Sequence, residues 1–379
     1  MTYKIPAAFI RGGTSKGVFF KADDLPPEQA ARDAIFLQAL GSPDPYQRQL
    51  NGMGGGLSSV SKAVIVGRSA RPDADVDYTF IQVAVDRPVA DYSQSCGNLS
   101  SSVGPFAVEE GLIAATDGPT TVRVYNTNTD KLYHAHFEVR DGHAVETGDF
   151  EMSGVSGTGA RVRLDYLHPG GARTAAFLPT GKAAEPLRLP DGKAVQASLV
   201  DATSPVVFVA AEDMGVSGIE APEALEADTR LMTALESLRR AAGVAMGMAE
   251  TPEAVALSSP KIALVAPPRG YRTIGGEAVA AGDYDIAVRI VSMERMHRAV
   301  TGTGGMCLAA ACQVTGSVPN RIARPLPPGQ DIRIGTPSGA MTVAANVRQD
   351  DTGRWQVDSV TVYRTQRRLM EGKVVLPRG

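Results

Sequence analysis

The segment SCGNLS, residues 95–100, joins a thiol to a turn and the start of a predicted helix. A cysteine at a helix N-terminus lies near unpaired backbone N–H groups and the positive end of the helix dipole, so the pKa of Cys96 is expected to fall. Gly97 and Asn98 tolerate the backbone angles of such a turn. The N–H groups from Gly97 to Leu99 can hold a carboxylate. Cys96 is therefore a candidate catalytic thiol; the alternative is a small buried core residue.

A glycine-rich loop, NGMGGGLSS over residues 51–59, precedes a lysine and an apolar strand. Such loops leave backbone N–H groups open to an anion, which makes Gly55 and Ser58 candidate binding residues. The loop has neither the GxxxxGK[ST] pattern nor the flanking strand and helix of a dinucleotide-binding fingerprint. Lys62 begins the apolar run, where burial would lower the pKa of its amine and make it a general base. The alternative is a solvated lysine at a strand start.

A third polar turn, RGGTSKG over residues 11–17, lies between two apolar strands. Its hydroxyl and ammonium groups suit a carboxylate, and the candidate binding residues are Thr14, Ser15 and Lys16. A hairpin turn without a ligand fits this segment equally well.

The stretch HRAVTGTGGM, residues 297–306, repeats the anion-binding pattern at the start of a second apolar helix. Thr301 stands where a second reactive group would be expected. The candidate binding residues are His297, Thr303, Gly304, Gly305 and Met306. His297 fits a structural, hydrogen-bonded role at least as well. Cys307 and Cys312, inside the helix, are interpreted as packing residues.

Composition and charge exclude several other classes of protein. With 38 basic and 41 acidic residues the net charge is −3, which gives no overall attraction to nucleic acid or to an anionic membrane. There is no apolar run long enough to span a membrane and no signal-peptide pattern, so we expect a cytoplasmic protein. Three cysteines cannot form a complete set of disulfides. The five histidines show no metal-ligand spacing and no GxSxG motif occurs, so no metal is expected.

The elements that must position these residues are mostly strands. The predicted helices are Pro26–Leu40, Ser100–Glu110, Pro222–Gly247 and Gly305–Val314. The second and fourth of these helices follow the turn that carries Cys96 (residues 95–99, the thiol turn) and the turn that carries Thr301. Both helices are apolar on every side, which indicates that each is enclosed by other elements. Two sheets, each wrapped round one such helix and related by approximate duplication, explain the pattern and suit a chain of 379 residues. Residues 180–193 are the expected linker.

Taken together, these segments resemble the PrpF-like family of 2-methylaconitate cis-trans isomerases, methylitaconate Δ-isomerases and 4-oxalomesaconate tautomerases. The resemblance spans Ile5 to Pro377 and is carried, in order, by RGGTSKGVFF, GSPDPYQRQLNGMGG, SKAVIVG, CGNLSSSVGPFAVEEGL, LPTG, MHRAVTGTGGMCLAAA, TPSG and RRLMEG. It implies an α+β, diaminopimelate epimerase-like fold: two similar domains, each a curved, mostly antiparallel sheet wrapped round a central helix, with the substrate between them. The expected halves are residues 1–185, completed by the strand 355–379, and 190–350.

The resemblance also implies that Lys62 and Cys96 form the catalytic pair. Epimerases of the wider superfamily use two cysteines, in turns like CGN and CGTG, whereas the second turn here begins with Thr301. Threonine is too weak an acid for a symmetric two-base exchange, which disfavours an epimerase. Thr336 and Ser204 stand where the family often has histidine and asparagine, and these departures leave the substrate open.

We therefore expect a cofactor-independent isomerase that performs a 1,3-allylic proton shift or a cis-trans isomerisation on an unsaturated di- or tricarboxylate. A 2-methylaconitate-like acid is the leading candidate, beside methylitaconate, aconitate and oxalomesaconate. Lys62 is expected to be the base and Cys96 the acid, although the roles are exchangeable. The alternatives are an amino-acid epimerase on the same fold and a non-catalytic carboxylate-binding protein. A homodimer is the assembly to test, and no nucleic-acid or membrane partner is expected.

Overall fold

The computed structural model of the chain contains two compact units. Unit 1 comprises Met1–Tyr166 and Tyr363–Gly379, and unit 2 comprises Leu167–Val362. The residues described are 2–93, 95–152, 154–189, 191–327 and 330–377. The ranges expected from the sequence differ from these units chiefly because they assign residues 167–185 to the first half. Pro190, the expected start of the second half, lies outside the described residues.

Unit 1 is built mainly from strands. Its strands are β1 (Thr2–Gly12), β2 (Ser15–Lys21), β3 (Lys62–Arg68), β4 (Val76–Val83), β5 (Ala90–Asp91), β6 (Gly118–Asn126), β7 (Lys131–Arg140), β8 (His143–Ala144), β9 (Phe150–Glu151), β10 (Thr158–Gly159), β11 (Val162–Leu167) and β23 (Gln366–Pro377). Its α-helices are α1 (Gln29–Leu40) and α2 (Ser100–Glu109), and short 3-10 helices span Ala22–Asp24 and Ser58–Val60.

The main sheet of unit 1 has the order β23-β1-β2-β3-β4-β6-β7-β11. Neighbouring strands are antiparallel except for the parallel pairs β2·β3 and β4·β6. Helix α2 contacts β1, β3, β6, β7, β8 and β23, so the sheet curves round it. This arrangement confirms the expectation that the helix following Cys96 is enclosed.

The second strand shows how the sheet separates two layers of core. Consecutive side chains of a strand point to opposite faces. The Phe19 ring packs against Phe106 of α2, with centroids 5.5 Å apart, and the Phe20 ring packs against Phe36 of α1 at 5.6 Å. The sheet therefore lies between α2 and α1, and all four rings are buried.

Unit 2 has a similar composition of elements. Its strands are β12 (Glu185–Arg188), β13 (Ala194–Asp201), β14 (Pro205–Ala210), β15 (Lys261–Ala266), β16 (Tyr271–Arg272), β17 (Ala278–Val279), β18 (Ile286–Ser292), β19 (Arg295–Met296), β20 (Ile332–Thr336), β21 (Gly339–Gln349) and β22 (Trp355–Arg364). Its α-helices are α3 (Pro222–Ala227), α4 (Thr229–Ala245), α5 (Gly302–Gln313) and α6 (Val318–Ile322), and 3-10 helices span Glu212–Met214 and Pro252–Ala254.

The sheet of unit 2 repeats the pattern of unit 1. Its order is β12-β13-β14-β15-β18-β20-β21-β22, with parallel pairs β14·β15 and β18·β20 and antiparallel neighbours elsewhere. Helix α5 contacts β13, β14 and β21 and occupies the place that α2 has in unit 1. The expected duplication is therefore present, and β15 corresponds to β3.

Two expectations about the segments between these strands are wrong. Residues 180–193 are not a free linker, because β12 lies within them and pairs with β13. The single helix expected over Pro222–Gly247 is divided at Asp228, whose carboxylate accepts a hydrogen bond from the Leu231 N–H at 3.0 Å and caps α4. An Asp N-cap satisfies donors at a helix start, so a new helix begins there. No helix among the described residues is long and apolar enough to cross a membrane.

Candidate functional site

Lys62 is the first residue of β3 and pairs with Gln82 of β4. Its side chain is buried, with 8% of the residue exposed, and its Nζ lies 4.9 Å from the centroid of the Phe80 ring. Burial lowers the pKa of Lys62, and the electrostatic effect of Cys96 partly opposes that lowering. The amine is thus held in apolar surroundings and is not a solvated lysine at a strand start.

The amide of Gln82 fixes the position of the amine. Lys62 Nζ donates to Gln82 Oε1 at 2.6 Å. Gln82 Nε2 donates to the carbonyls of Ser58 and Ser61 at 3.0 and 2.9 Å, so the amide oxygen must face the lysine. A neutral amide accepts from the amine without adding the negative charge that would raise its pKa.

Cys96 lies four residues ahead of the first residue of α2 and is also 8% exposed. Its carbonyl accepts hydrogen bonds from the Ser100 N–H at 3.0 Å, the Ser100 hydroxyl at 2.9 Å and the Tyr78 hydroxyl at 3.3 Å. These bonds fix the backbone that carries the thiol.

The turn that precedes α2 has free donors, although the first N–H groups of the helix itself, those of Ser100, Ser101 and Ser102, donate to backbone carbonyls of the turn. The N-cap of α2, Leu99, provides no side-chain cap. Within the described part of the chain, the N–H groups of Gly97, Asn98 and Leu99 make no hydrogen bond. Unpaired N–H groups at a helix start form an anion site, and here they adjoin a thiol.

The thiol interacts electrostatically with two cations. Cys96 acts to raise the pKa of Lys62 and that of Arg364, in each case against the larger, lowering effect of burial. The structure therefore brings Lys62 and Cys96 within electrostatic reach of each other inside unit 1. Arg364, at the end of β22, is a charged neighbour that the sequence analysis missed.

The hairpin turn between β1 and β2 packs directly on the thiol turn. Asn98 Nδ2 donates to Thr14 Oγ1 at 3.0 Å and to Ser15 Oγ at 3.3 Å. A Cβ on Gly12 would lie 2.6 Å from the Asn98 carbonyl oxygen, and one on Gly13 would lie 2.3 Å from Asn98 Oδ1. Only glycine permits this approach, which joins the two predicted turns into one polar surface.

Two further predicted binding residues, Lys16 and Ser58, have contacts of a different kind. Lys16 Nζ lies 5.7 Å from the centroid of the Phe9 ring. Ser58 is exposed, and its carbonyl accepts the bond from Gln82 described above. Their predicted roles in binding remain predictions.

The expectation of an open anion cradle in the glycine-rich loop is wrong for most of its N–H groups. Those of Gly52, Met53 and Gly54 donate to the carbonyls of Gln49, Ala39 and Leu40, and that of Gly56 donates to Gln49 Oε1. The buried side chain of Gln49 is held in turn by its Nε2, which donates to Ser61 Oγ at 2.8 Å. Glycines here allow the loop to fold round a glutamine. Gly55 remains a predicted binding residue.

In unit 2, Thr301 has a structural role at the start of α5. Its Oγ1 accepts from the Gly304 N–H at 3.0 Å and its carbonyl accepts from the Gly305 N–H at 2.9 Å. The expected free donors at Gly304 and Gly305 are therefore already used, unlike the N–H groups of the turn that precedes α2. Thr301 is the helix N-cap, and the next residues along α5 pack inward, with Met306 5% exposed.

The two cysteines of α5 are packing residues, as expected. Cys307 and Cys312 are 0% and 7% exposed, and burial raises the pKa of both thiols. Cys307 Sγ donates to the Val200 carbonyl at 3.5 Å. Neither thiol resembles Cys96 in its surroundings.

The duplicated strand of unit 2 also begins with a lysine that the sequence analysis missed. Burial lowers the pKa of Lys261, as does Arg173, and its Nζ donates to Ser204 Oγ at 3.4 Å. Burial, aided by Lys261, lowers the pKa of His297, whose Nδ1 accepts from the Ala299 N–H at 3.0 Å. The signal for Lys261 is the one that singled out Lys62, a lysine followed at once by an apolar strand.

The remaining predicted residues of unit 2 have identified contacts. The carbonyl of Thr303 accepts from Thr203 Oγ1 at 3.0 Å. The hydroxyl of Thr336, which departs from the family pattern, donates to the Gly339 carbonyl at 2.8 Å. Among the described residues, no group of three or more His, Cys, Asp or Glu side chains is arranged to hold a metal ion.

Comparison with known proteins shows strong similarity over the whole chain. The family model described as PrpF protein matches residues 2–377. The chain is 40% identical to a 2-methyl-aconitate isomerase of Cupriavidus necator, over 99% of this chain and 97% of that protein. It is 38% identical to a 3-methylitaconate isomerase of Eubacterium barkeri, over 98% and 97% of the two chains.

Solved structures agree with the sequence comparison. The crystal structure of a methylitaconate-delta-isomerase superposes with a TM-score of 0.93 at 37% identity, covering 99% of this chain and 96% of that one. A hydroxyproline epimerase from Agrobacterium vitis gives a TM-score of 0.50 at 14% identity, covering 100% and 95%, and shows a shared fold only. The expected epimerase-like fold is thereby confirmed.

Proposed function

This chain belongs to the PrpF family and is an isomerase, and from that premise we propose that it moves a proton within an unsaturated di- or tricarboxylate without a cofactor. The observation that carries the proposal is the buried amine of Lys62, whose pKa is lowered by burial, within electrostatic reach of the thiol of Cys96. An allylic proton shift requires a base that removes a proton and an acid that returns one.

The reaction begins when neutral Lys62 removes a proton from a carbon that adjoins both a double bond and a carboxylate. The C–H bonding pair passes into the conjugated system and gives a dienolate, while Lys62 becomes an ammonium ion. A proton then returns to the carbon at the other end of the allylic system, from the Lys62 ammonium or from the Cys96 thiol, and the double bond has moved. When Cys96 donates, the Lys62 ammonium passes its proton to the resulting thiolate, and both groups are restored. Rotation in the dienolate before reprotonation exchanges cis and trans forms.

The negative charge of the dienolate needs fixed donors. The N–H groups of Gly97, Asn98 and Leu99 are free within the described part of the chain, and they adjoin the hydroxyls of Thr14 and Ser15. Oriented donors of this kind stabilise developing charge because they do not have to reorganise during the reaction. The same donors suit the carboxylate groups of the substrate.

A 2-methylaconitate-like acid is the substrate we propose. The relatives at 40% and 38% identity from Cupriavidus necator and Shewanella oneidensis are both called 2-methyl-aconitate isomerase. The 3-methylitaconate isomerase of Eubacterium barkeri is 38% identical as well, so methylitaconate is the first alternative. The acid-base pair serves both substrates by the same chemistry.

A cytoplasmic location belongs to the same proposal. The three cysteines are free, and the reaction needs Cys96 as a thiol. Reducing compartments preserve thiols, whereas oxidising ones favour disulfides. A homodimer that acts on a small acid, without nucleic acid or membrane, remains the proposed assembly.

The test is turnover and hydrogen exchange in deuterated water, with methylaconitate, methylitaconate, aconitate and oxalomesaconate assayed separately by ultraviolet absorbance. Lys62→Met is expected to abolish both signals, and Lys4→Met, at an exposed lysine of β1, is the matched control. If Lys62→Met exchanges and turns over at the wild-type rate, Lys62 is not the base. Binding without exchange would indicate a carboxylate-binding protein, and inversion at a stereocentre would indicate an epimerase.

A further inference from the structure

Three tyrosines stand in a row behind the thiol turn. The ring centroids of Tyr78 and Tyr133 are 6.3 Å apart, and those of Tyr133 and Tyr166 are 5.4 Å apart. The first two hydroxyls have partners: that of Tyr78 donates to the Cys96 carbonyl at 3.3 Å, and that of Tyr133 donates to the Ser100 carbonyl at 3.1 Å. These two phenols support the backbone round the thiol.

The hydroxyl of the third tyrosine, Tyr166, forms no such hydrogen bond with the described backbone. The hydroxyl oxygen of Tyr166 is buried and has no hydrogen-bond partner among the described residues. The nearby Ser100 hydroxyl gives its proton to the Cys96 carbonyl at 2.9 Å. Burial raises the pKa of Tyr166, so the phenol keeps its proton and remains a donor. A buried donor without an acceptor is unfavourable, and native structures rarely keep one without a reason.

The unpaired hydroxyl lies beside the thiol turn. A Cβ placed on Gly97 would lie 3.4 Å from the Tyr166 hydroxyl oxygen. The free N–H groups of the residues from Gly97 to Leu99 belong to the same turn. The Tyr166 hydroxyl and these N–H groups are all hydrogen-bond donors without an acceptor in the part of the chain that the structure describes, so the group that would satisfy them is an acceptor such as a carboxylate.

Arg364 adds a positive charge to these donors. Its Nη1 donates to the Tyr363 carbonyl at 2.8 Å, and it forms no ion pair with any acidic side chain among the described residues. Burial lowers its pKa, while Tyr166 and Cys96 both act to raise it, which places the guanidinium within electrostatic reach of each. A partly buried cation without a carboxylate partner is stabilised when an anion binds.

The chain segment that carries Arg364 is fixed to the hairpin turn. The next residue, Thr365, accepts on its carbonyl from the Gly13 N–H at 3.0 Å and from Arg11 Nη1 at 2.9 Å. Arg11 Nη1 also donates to Thr365 Oγ1 at 3.0 Å. Since the same turn is bonded to Asn98, the Arg364 segment and the thiol turn are held by one network within unit 1.

We propose that Tyr166 and Arg364 form a binding site for one carboxylate group of the substrate, beside the Cys96-Gly97 turn. The guanidinium presents a planar set of donors that matches a carboxylate, and the phenol supplies one more. This inference rests on the proposed function and extends it, because it requires an acid with a carboxylate besides the one at the reacting carbon.

The experiment measures binding of tricarballylate and succinate, saturated acids that cannot undergo an allylic shift, to the full chain by calorimetry. Tyr166→Phe and Arg364→Gln are each expected to weaken tricarballylate binding by about tenfold or more, as is usual for bonds to a charged group. Tyr46→Phe, at a tyrosine that is 82% exposed, is the matched control, with a change of less than about threefold expected, and Tyr133→Phe serves as the comparison for stability.

Thermal unfolding of the same variants without ligand separates binding from structure. Tyr133→Phe loses a bond to the Ser100 carbonyl and should lower the melting temperature, whereas Tyr166→Phe removes an unpaired hydroxyl and should not. With the unsaturated substrate, Tyr166→Phe should raise KM more than it lowers kcat. Wild-type affinity for tricarballylate in both Tyr166→Phe and Arg364→Gln, or no binding of either acid by the wild-type chain, would overturn the proposal.

Failure of the proposed function gives a different result. A wild-type chain that neither exchanges nor isomerises any unsaturated acid, yet binds tricarballylate in a manner that depends on Tyr166 and Arg364, would support this site and refute the catalytic assignment. Hydrogen exchange that depends on Lys62, together with tricarballylate binding that neither Tyr166→Phe nor Arg364→Gln changes, would support the catalytic assignment and refute this binding site.

Discussion

Replacing Gln82 with methionine tests how the protein sets the acidity of Lys62. In the structure the amine donates to Gln82 Oε1 at 2.6 Å, and the amide oxygen is directed there by the bonds of Nε2. Methionine has nearly the same length but no good acceptor. Because the amide oxygen stabilises the ammonium form more than the neutral amine, its loss should lower the pKa of Lys62 further.

The size of the effect follows from the strength of one charged hydrogen bond. Such a bond contributes about 1.5–3 kcal/mol, and each pKa unit corresponds to about 1.4 kcal/mol. The acidic limb of kcat/KM against pH should therefore move down by about one to two pH units. The plateau should also fall, because the amine is less firmly positioned.

The assay is the full pH profile of kcat/KM for wild type, Gln82→Met and the control Gln38→Met, whose side chain is exposed on α1. Misfolded protein in a preparation lowers the plateau of kcat/KM but does not change the pH at which the acidic limb lies. A shift of the limb therefore reports on the pKa of the catalytic group and not on the fraction of folded protein. A limb that stays at the wild-type pH, or moves upward, would show that Lys62 is not the group whose deprotonation the reaction requires.

Three further outcomes are expected. Iodoacetamide should alkylate Cys96 in the folded protein and spare Cys307 and Cys312, because burial raises the pKa of those two thiols, with loss of activity and protection by tricarballylate; mass spectrometry of peptides from native and unfolded protein decides this. Thr301→Ala should lower the free energy of unfolding by about 1 kcal/mol through loss of the helix cap, and Thr301→Ser should preserve it, as measured by urea denaturation. Lys62→Met should be more stable than wild type at neutral pH. Since the pKa of Lys62 is lower in the folded than in the unfolded chain, the unfolded chain binds more protons between the two values, and wild-type stability rises with pH through that window. The advantage of the variant should therefore shrink as the pH approaches 10.5, the ordinary value for lysine, and an advantage independent of pH would contradict the assignment.

The sequence predicted those features of the site that depend on neighbouring residues. A thiol just before an apolar helix and a lysine at the start of an apolar strand are local patterns, and both Cys96 and Lys62 lie where these patterns place them. The enclosure of α2 and α5 followed from their apolar sides. The duplication was visible because both helices follow similar polar turns.

The features that were missed depend on distant parts of the chain. Gln82 faces Lys62 because of the register between β3 and β4. Tyr166 and Arg364 reach the thiol turn from strands far along the sequence, and an orphaned hydroxyl is visible only in three dimensions. The prediction for the glycine-rich loop was wrong for a related reason. Its paired N–H groups donate to Gln49, a buried polar residue, and to carbonyls at the end of α1, and nothing in the local pattern indicates either.

The pairing of β1 with β23 links folding to the direction of protein synthesis. Thr2 lies opposite Pro377, so β1 pairs with β2 early in synthesis but receives its second neighbour only when almost the whole described chain has been made. Leu167–Val362, by contrast, is contiguous and can fold while translation continues. During that interval β1 is an uncovered edge, open to pairing with other nascent chains. The half that carries Lys62 and Cys96 is therefore the last to mature, and cells that make this isomerase quickly should depend on chaperones to shield it.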